Sequence, residues 1–515
     1  MAMSLGVDLH RLSKSVNLAI PLFAGALFLS GTFVSFYFHF LTVPMIFLAT
    51  VNYFYLYVQR RHALLRNYGI LAQARYVLES VGPELRQYLF ASDTEERPFS
   101  RVERSEVYRK ALNEDSTLSF GSLGQFDATE VKIRHSMFPV PAYEIEKFSV
   151  VFGEERGCLR PFTIGQPIMI SAMSYGALGA PAVRALARGA GRAHVAMNTG
   201  EGGFPKYALM EECELIFQMG TAKFGVRHDD ATLDDRKLRE LAANPKIRMI
   251  EIKFSQGAKP GKGGLLPKDK ITPEISELRG VPLGRDVVSP PSHAECVDFP
   301  STVAFIRRVQ EVSAIPTGIK LCLGRTSEFR ELVAEMIRQD SFPDYISIDG
   351  AEGGTGAAPQ SFMDQVGMPL LPAIYIVEQT LIELGVRQRT KLLAAGKLIN
   401  AGRILVAMAL GADACYTARG FMLSIGCIQA LQCGKNTCPV GITTHNAQLQ
   451  RGLDIEQKAT RVANYVRNLV HDFEQLLAAT GVRRARDLTH ENLYIPAETA
   501  LAEAVGARGG FAVRK

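Results

Sequence analysis

The chain has 515 residues, 47% hydrophobic and 21% charged, with a formal net charge of +6. That length can bury a large core and implies more than one structural unit. The charge is mild and interspersed, with no basic patch or recognition motif, so nucleic-acid binding is not expected.

Asn17 to Val58 contains no Asp, Glu, Lys or Arg. This run is about twice what one bilayer crossing requires. It divides near Phe38–Pro44 into NLAIPLFAGALFLSGTFVSF and LTVPMIFLATVNYFYLYV, with Arg11 and Lys14 upstream and Arg60, Arg61 and Arg66 downstream. Positive charge at both ends predicts a helical transmembrane hairpin with cytoplasmic flanks, hence a membrane-anchored protein with its catalytic domain in the cytoplasm. A re-entrant segment, a cleaved signal peptide and a buried soluble hairpin compete with that reading. No small-residue cleavage site separates the two apolar runs, which disfavours the signal peptide. The expected division is a tail (1–16), the hairpin (17–58), a helical linker and lead-in (59–150) broken at Gly82-Pro83, a main domain (151–455), and a C-terminal helix and tail (456–515).

From Pro167 short apolar runs alternate with helical stretches. Candidate strands are Pro167–Ala172, His194–Asn198, Phe217–Phe224, Arg248–Phe254, Thr317–Leu323, Tyr345–Asp349, Lys391–Ala395 and Ala414–Ala418. Over about 250 residues this favours an α/β fold of the (β/α)8 TIM-barrel type, with a doubly wound open sheet as the alternative. In a barrel, the residues after each strand face the active site. Here they read SAMSYG (with Met173 and Ser174), NTGEGGF, KFSQGAKPGKGG, KLCLG, DGAEGGTGAAP, AGKL and TARG.

The last two strand ends, Gly396-Lys397 and Ala418-Arg419, sit where barrels commonly bind phosphate, glycine admitting backbone N–H groups and the cations adding charge. The loop from Asp349 through Gly353 and Gly354 is too rich in glycine to start a helix and is expected to fold closely over a ligand. It lacks the dinucleotide-binding frame, and GAKPGKGG fails the phosphate-loop pattern. Lys320 lies in an apolar run, where a lysine needs a reason; an ion pair is one, stabilising a reduced flavin another. Glu201, Lys259 and Arg279 carry the charges of an acid-recognition set, Arg279 offering a planar fork to a carboxylate.

Cys427, Cys433 and Cys438 fall within twelve positions with spacing C-x5-C-x4-C, and Pro439 follows the last. No suitably spaced fourth ligand completes a closed zinc site. Iron–sulfur ligation and buried free thiols are the main readings.

PIMISAMSYGALG, NTGEGG, IEIKFSQGAKPGKGG, DGAEGGTGAAP and GCIQALQCGKNTCPVGI together resemble the FMN-binding synthase domain of glutamate synthases, over roughly Pro167 to Asn446 and in family order. The resemblance implies a TIM barrel, FMN, and a 3Fe-4S cluster on Cys427, Cys433 and Cys438. It implies hydride delivery from reduced FMN to the imine of 2-oxoglutarate and ammonia, giving L-glutamate, with electrons arriving from a separate donor through the cluster. On that resemblance Glu201, Lys259 and Arg279 are substrate-side residues, while Ser174, Lys320 and the Gly353-Gly354 loop are flavin-side. The family's amidotransferase domain is not found in these residues, so ammonia is expected free or from a partner. Leu265 stands where the family has glutamine, and Ser289–Ala294 reads SPPSHA where SPPPHH is usual. Losing one charge-assisted hydrogen bond to a substrate carboxylate costs about 1.5–3 kcal/mol. The alternative is therefore an electron-transfer subunit or a reductase of another oxo or imino acid. Intact cysteines and loops disfavour a membrane scaffold with a dead barrel.

Overall fold

The computed structural model describes residues 9–115, 117–123, 130–497 and 501–502. It divides into two compact units, Met1–Arg101 and Val102–Lys515. The contact boundary thus falls inside the segment expected as a linker.

In the first unit, helix Leu9–Phe33 turns through Phe36–Phe38 into helix His39–Tyr53, which runs on to Val58. Arg11–Phe33 and Phe36–Val58 are each 23 residues long and apolar enough to cross a membrane, and most of each faces outward. Their base is clasped by polar side chains: Ser13 Oγ donates to Tyr68 O (3.1 Å), Asn17 Nδ2 to Ser13 Oγ (3.1 Å), and Ile70 N to Asn52 Oδ1 (2.7 Å). The break expected at Gly82-Pro83 does not occur. Helix Gln73–Leu85 continues through Pro83, and a wider turn at Arg86–Phe90 follows directly. The helix accommodates Pro83 at the loss of one ladder donor.

In the second unit, eight parallel strands close into a barrel: β1 (Ile168–Ile170), β2 (Met197–Asn198), β3 (Leu215–Met219), β4 (Ile247–Lys253), β5 (Thr317–Leu321), β6 (Tyr345–Asp349), β7 (Lys391–Ala395) and β8 (Ala414–Thr417). Each pairs with its neighbour in sequence, and β8 returns to β1. This is the (β/α)8 TIM barrel. All eight expected strands are present; Tyr345–Asp349 and Lys391–Ala395 match at both ends, four others shift by one or two residues, and two shift further. His194 belongs to a helix terminus: it caps Ala180–Ala193 in the left-handed region at φ 53°, so β2 starts later. β3 begins at Leu215 and ends before Gly220, because the residues after it form a loop at the mouth.

An antiparallel hairpin, Val150–Phe152 with Phe162–Ile164, closes the N-terminal end of the barrel. Its Phe152, Phe162 and Ile164 share one buried cluster with Met169, Ile216, Met249, Tyr345, Leu393 and Ala414 from the strands. Phe152 meets Tyr345 edge-on at 5.5 Å between centroids. The apolar core therefore fills the lower barrel and leaves the C-terminal end to polar groups. Helix Ile455–Ala479, capped by Asp454, packs across Ala180–Ala193 and Ala401–Ala409.

Truncating the fully buried Phe152 to alanine opens a cavity that the closed barrel cannot collapse. A loss of about 3–5 kcal/mol in unfolding free energy is expected. Denaturant titration of Phe152→Ala measures it; an unchanged midpoint would mean the hairpin does not close the barrel.

Candidate active site

Glu201, three residues beyond β2, lies in the barrel mouth. Its carboxylate pairs with Lys253 at the end of β4, Nζ to Oε1 2.9 Å. Gly220 and Gly264 make room for it: a Cβ at either would stand 2.4 or 2.3 Å from its oxygens. Burial pushes the Glu201 carboxyl up, but Lys253 more than reverses this, with Arg279 and Lys259 behind it, and holds it below the usual carboxylate value. Of the three residues expected as an acid-recognition set, Lys259 and Arg279 thus both act on Glu201.

Lys259 is buried and donates to Ala357 O at 2.7 Å. Burial draws its ammonium down to about 8, Lys253 adds to the fall, and Glu201 opposes it. Arg279 ends helix Pro273–Arg279 and is buried beside β1's loop, its Nη2 donating to Tyr175 O (2.8 Å) and Ser174 Oγ (3.4 Å). Its Nε has no hydrogen-bond partner. Burial brings the guanidinium down to about 10, opposed by Glu201. A buried fork with an unused donor suits an incoming carboxylate.

Deeper in the mouth, Lys320 on β5 pairs with Asp349 at the end of β6, Nζ to Oδ2 3.4 Å. Burial works to strip its proton, but Asp349, Glu251 and Glu201 together raise it above the ordinary lysine value. Lys320 is therefore a firm cation, and the ion pair accounts for a lysine in an apolar run. Asp349 also accepts from Gly257 N at 2.9 Å, tying the β6 end to the loop after β4. Met173, in the same loop as Ser174, is buried.

At the ends of β7 and β8 three cations converge. Burial lowers the Lys397 ammonium, and Arg419 and Arg403 lower it further. Arg403 donates to Lys397 O at 3.2 Å. Arg419, just after Ala418, donates to Glu352 O, and Gly354 allows its close approach, since a Cβ there would lie 2.9 Å from Arg419 Nε. Gly353 N bonds Gly350 O at 2.8 Å, and Gly396 takes φ 145°, with Lys397 left-handed at 50°. Mutually repelling cations beside glycine turns make a corner suited to an anion.

Cys427, Cys433 and Cys438 share one loop; Cys433 and Cys438 both raise Cys427, and Cys438 raises Cys433. Burial raises Cys427 to about 12, whereas the Thr443 N–H and hydroxyl, with the N–H groups of Val440 and Ile442, together outweigh burial at Cys438 and lower it. Lys270 ties the loop to the mouth, donating to Ala177 O and, at 3.2 Å, to Cys433 O. Tyr108 donates to Cys427 O at 2.6 Å. Among the described residues no three Cys, His, Asp or Glu side chains are arranged as ligands of one metal ion.

A conserved region in glutamate synthase matches residues 105–483. The chain belongs to the glutamate synthase family. It is 36% identical over 477 residues to the glutamate synthase large subunit-like protein YerD of Bacillus subtilis, covering 84% of this chain and 90% of that one. It is 35% identical over 324 residues to the archaeal-type glutamate synthase [NADPH] of Thermotoga maritima, covering 62% of this chain and 61% of that relative. It therefore spans about three fifths of the archaeal-type relatives' length. A large subunit-like protein of Rhizobium meliloti is 29% identical over 378 residues, covering 70% and 81%. Among solved structures, flavocytochrome b2 with sulfite bound overlays at TM-score 0.46 and 12% identity, over 85% of this chain and 89% of that one, too distantly to carry weight.

In this glutamate synthase family member, sequence reasoning missed Lys253, Glu251 and Lys270. The first two were legible in principle. In the run Ile250–Lys253 every second residue is charged, so one face of a buried strand carries Glu251 and Lys253. Lys270 offered no signal, because its link to Cys433 spans 163 positions.

A depressed carboxyl contributes stability above its ordinary value, here 4.5, and loses it as pH falls through the folded-state value. Glu201→Gln should therefore melt below wild type at pH 7, with the gap closing as pH falls below 4.5. Thermal melts across pH check this. A gap that widens in acid would contradict the Glu201–Lys253 pairing.

Proposed function

We propose that the protein is a membrane-anchored FMN and iron–sulfur oxidoreductase that reductively aminates 2-oxoglutarate with free or partner-supplied ammonia to give L-glutamate. The observation that carries this reading is the joining, in one barrel mouth, of the Glu201, Lys253, Lys259 and Arg279 charges with the Lys320–Asp349 pair. Family membership supports the oxidoreductase class, and the archaeal-type relatives are named as NADPH glutamate synthases.

The residues fit FMN. Lys397 and Arg419, with Gly353, Gly354, Gly396 and Ala418, offer a phosphate corner, while Met173, Ser174, Lys320 and Asp349 line the way to it. The thiols fit a 3Fe-4S cluster rather than a single ion. In a mononuclear zinc site all ligands converge at about 2.3 Å, whereas a cluster's thiolates bind different irons. A sulfur receiving several backbone N–H groups, as Cys438 does, is a common feature of iron–sulfur loops. Bound in these places, the flavin would supply hydride transfer and the cluster would supply electrons from a separate donor.

The chain's own residues divide the remaining work. Arg279 and Lys259 hold the acid's carboxylates, and Arg279 Nε is free to donate. Glu201, kept ionised by Lys253, accepts N–H bonds from ammonia or from the imine nitrogen and orients it. Lys320, kept protonated by Asp349, places positive charge where a reduced flavin gathers negative charge. Closure of the lower barrel by the Phe152 hairpin leaves the mouth as the route of entry. The apolar hairpin of the first unit is the anchor, with both ends cytoplasmic.

A second reading, reduction of a different oxo or imino acid, draws on Leu265. This aliphatic residue directly follows Gly264, which lies against Glu201. Anaerobic protein, reduced and mixed with 2-oxoglutarate and ammonium, should reoxidise its flavin and yield glutamate. Absence of both, with reoxidation by a more apolar oxo acid, would replace the first reading by the second.

Two variants separate the roles. Arg279→Ala should raise the half-saturating 2-oxoglutarate concentration roughly 10- to 100-fold, the equivalent of one charged hydrogen bond, with flavin content unchanged. Equal loss of flavin would make the arginine structural. Cys433→Ser should strip most of the iron and leave FMN bound; unchanged iron would refute the ligand assignment.

A further inference from the structure

The buried lysines of the second unit differ in what balances them. Among the described residues Lys110, Lys223, Lys253 and Lys320 each pair with a carboxylate, and Lys259 faces Glu201. Lys270 is buried as deeply, at 2% exposed, yet no carboxylate acts on it. The groups that do are Arg279, a like charge, and the thiols of Cys433 and Cys438. A buried charge is costly unless an opposite charge stands beside it.

Lys270 is also fixed in place. It ends the short turn Lys268–Lys270, which precedes helix Pro273–Arg279. Its Nζ donates to Ala177 O, in the loop after β1, and to Cys433 O at 3.2 Å. The same β1 loop is held by Arg279, donating to Tyr175 O at 2.8 Å, and by His445, whose Nε2 lies 2.9 Å from Gly176 O. Asn436 of the thiol loop donates to Asp269 O at 2.8 Å, so the backbone beside Lys270 is tied as well. The ammonium cannot swing out to water without parting two loops. Carbonyls satisfy two of its three N–H groups but bring no net charge. The anion it needs has to come from the thiol side.

A cluster held by three thiolates is net negative, and net charge is one of the levers on its reduction potential. We propose that Lys270 is the counter-cation of the thiol loop, a positioning residue that holds positive charge against its Cys433 and Cys438 side and so favours the reduced cluster. In that step one electron leaves the separate donor, which is oxidised, and enters the cluster; no bond forms or breaks. The inference rests on the iron–sulfur reading and adds to it the residue that sets the cluster's charge balance.

The test is an anaerobic redox titration of the full-length protein, with iron and sulfide quantified and the EPR signal of the oxidised cluster followed. Lys270→Met and Lys270→Gln remove the charge. Each should lower the ratio of reduced to oxidised cluster at a fixed potential about tenfold, equal to about 59 mV for one electron. Lys270→Arg should stay near wild type. So should Lys435→Gln, which removes an exposed, solvent-screened charge two residues beyond Cys433.

Lys270→Gln keeps a donor for the carbonyls, so a wild-type potential in that variant would reduce Lys270 to a tether and overturn the proposal. Iron lost from the Met and Gln variants but kept in the Arg variant would uphold it, since only charge distinguishes them in common. Iron lost equally from all three would overturn it. Wild-type protein without iron would refute the cluster reading itself, whereas iron-bearing variants with unmoved potentials would refute this inference alone.

Discussion

The mouth of this barrel depends on one constraint: charges taken out of water must find partners. Lys320 with Asp349 and Lys253 with Glu201 are two such pairs, set on adjoining strands and their loops. Breaking either by removing one partner leaves an uncompensated buried charge, a change that typically costs about 3–5 kcal/mol. The pairs also fix protonation states. Lys320 stays a cation because Asp349, with Glu251 and Glu201, outweighs its burial, and Glu201 stays an anion because Lys253, with Arg279 and Lys259, outweighs its own.

The rest of the second unit serves that constraint. The hairpin around Phe152 supplies apolar closure below, so that stability does not rest on the polar layer. Glycines at 220, 264 and 354 let charged side chains lie against backbone, bringing Glu201 and Arg419 into a space that any larger residue would occupy. Lys270 and Tyr108 then tether the cysteine loop by its carbonyls and leave the sulfurs to other partners. The result is a wall with three distinct chemistries: a side of paired charges around Glu201, a corner of cations at the ends of β7 and β8, and a thiol loop.

Much of this was legible in the sequence. The eight strands read as short apolar runs ending in glycine or polar residues, and the positions after them are rich in chemistry-bearing side chains. Two boundaries slipped for local reasons: His194 looks like a strand start but caps a helix, and the apolar residues near Phe224 belong to a loop. The helix runs through Pro83 against the usual breaker rule, continuing directly into the wider turn at Arg86–Phe90. What the sequence could not supply was proximity. Arg279 reaches the loop of β1 from more than a hundred positions away, and Lys270 reaches Cys433 from farther still. Pairing in space, rather than residue type, separates a solvated charge from a site.

The central claim is that the Lys320 cation is poised to stabilise negative charge on a reduced ring in the mouth. The two-electron midpoint potential of bound FMN, measured anaerobically for wild type and Lys320→Met, tests this most directly. Reduced flavin should lose more binding than oxidised flavin, and the potential should fall. Equal affinities for the two redox states, with an unchanged potential, would contradict the account.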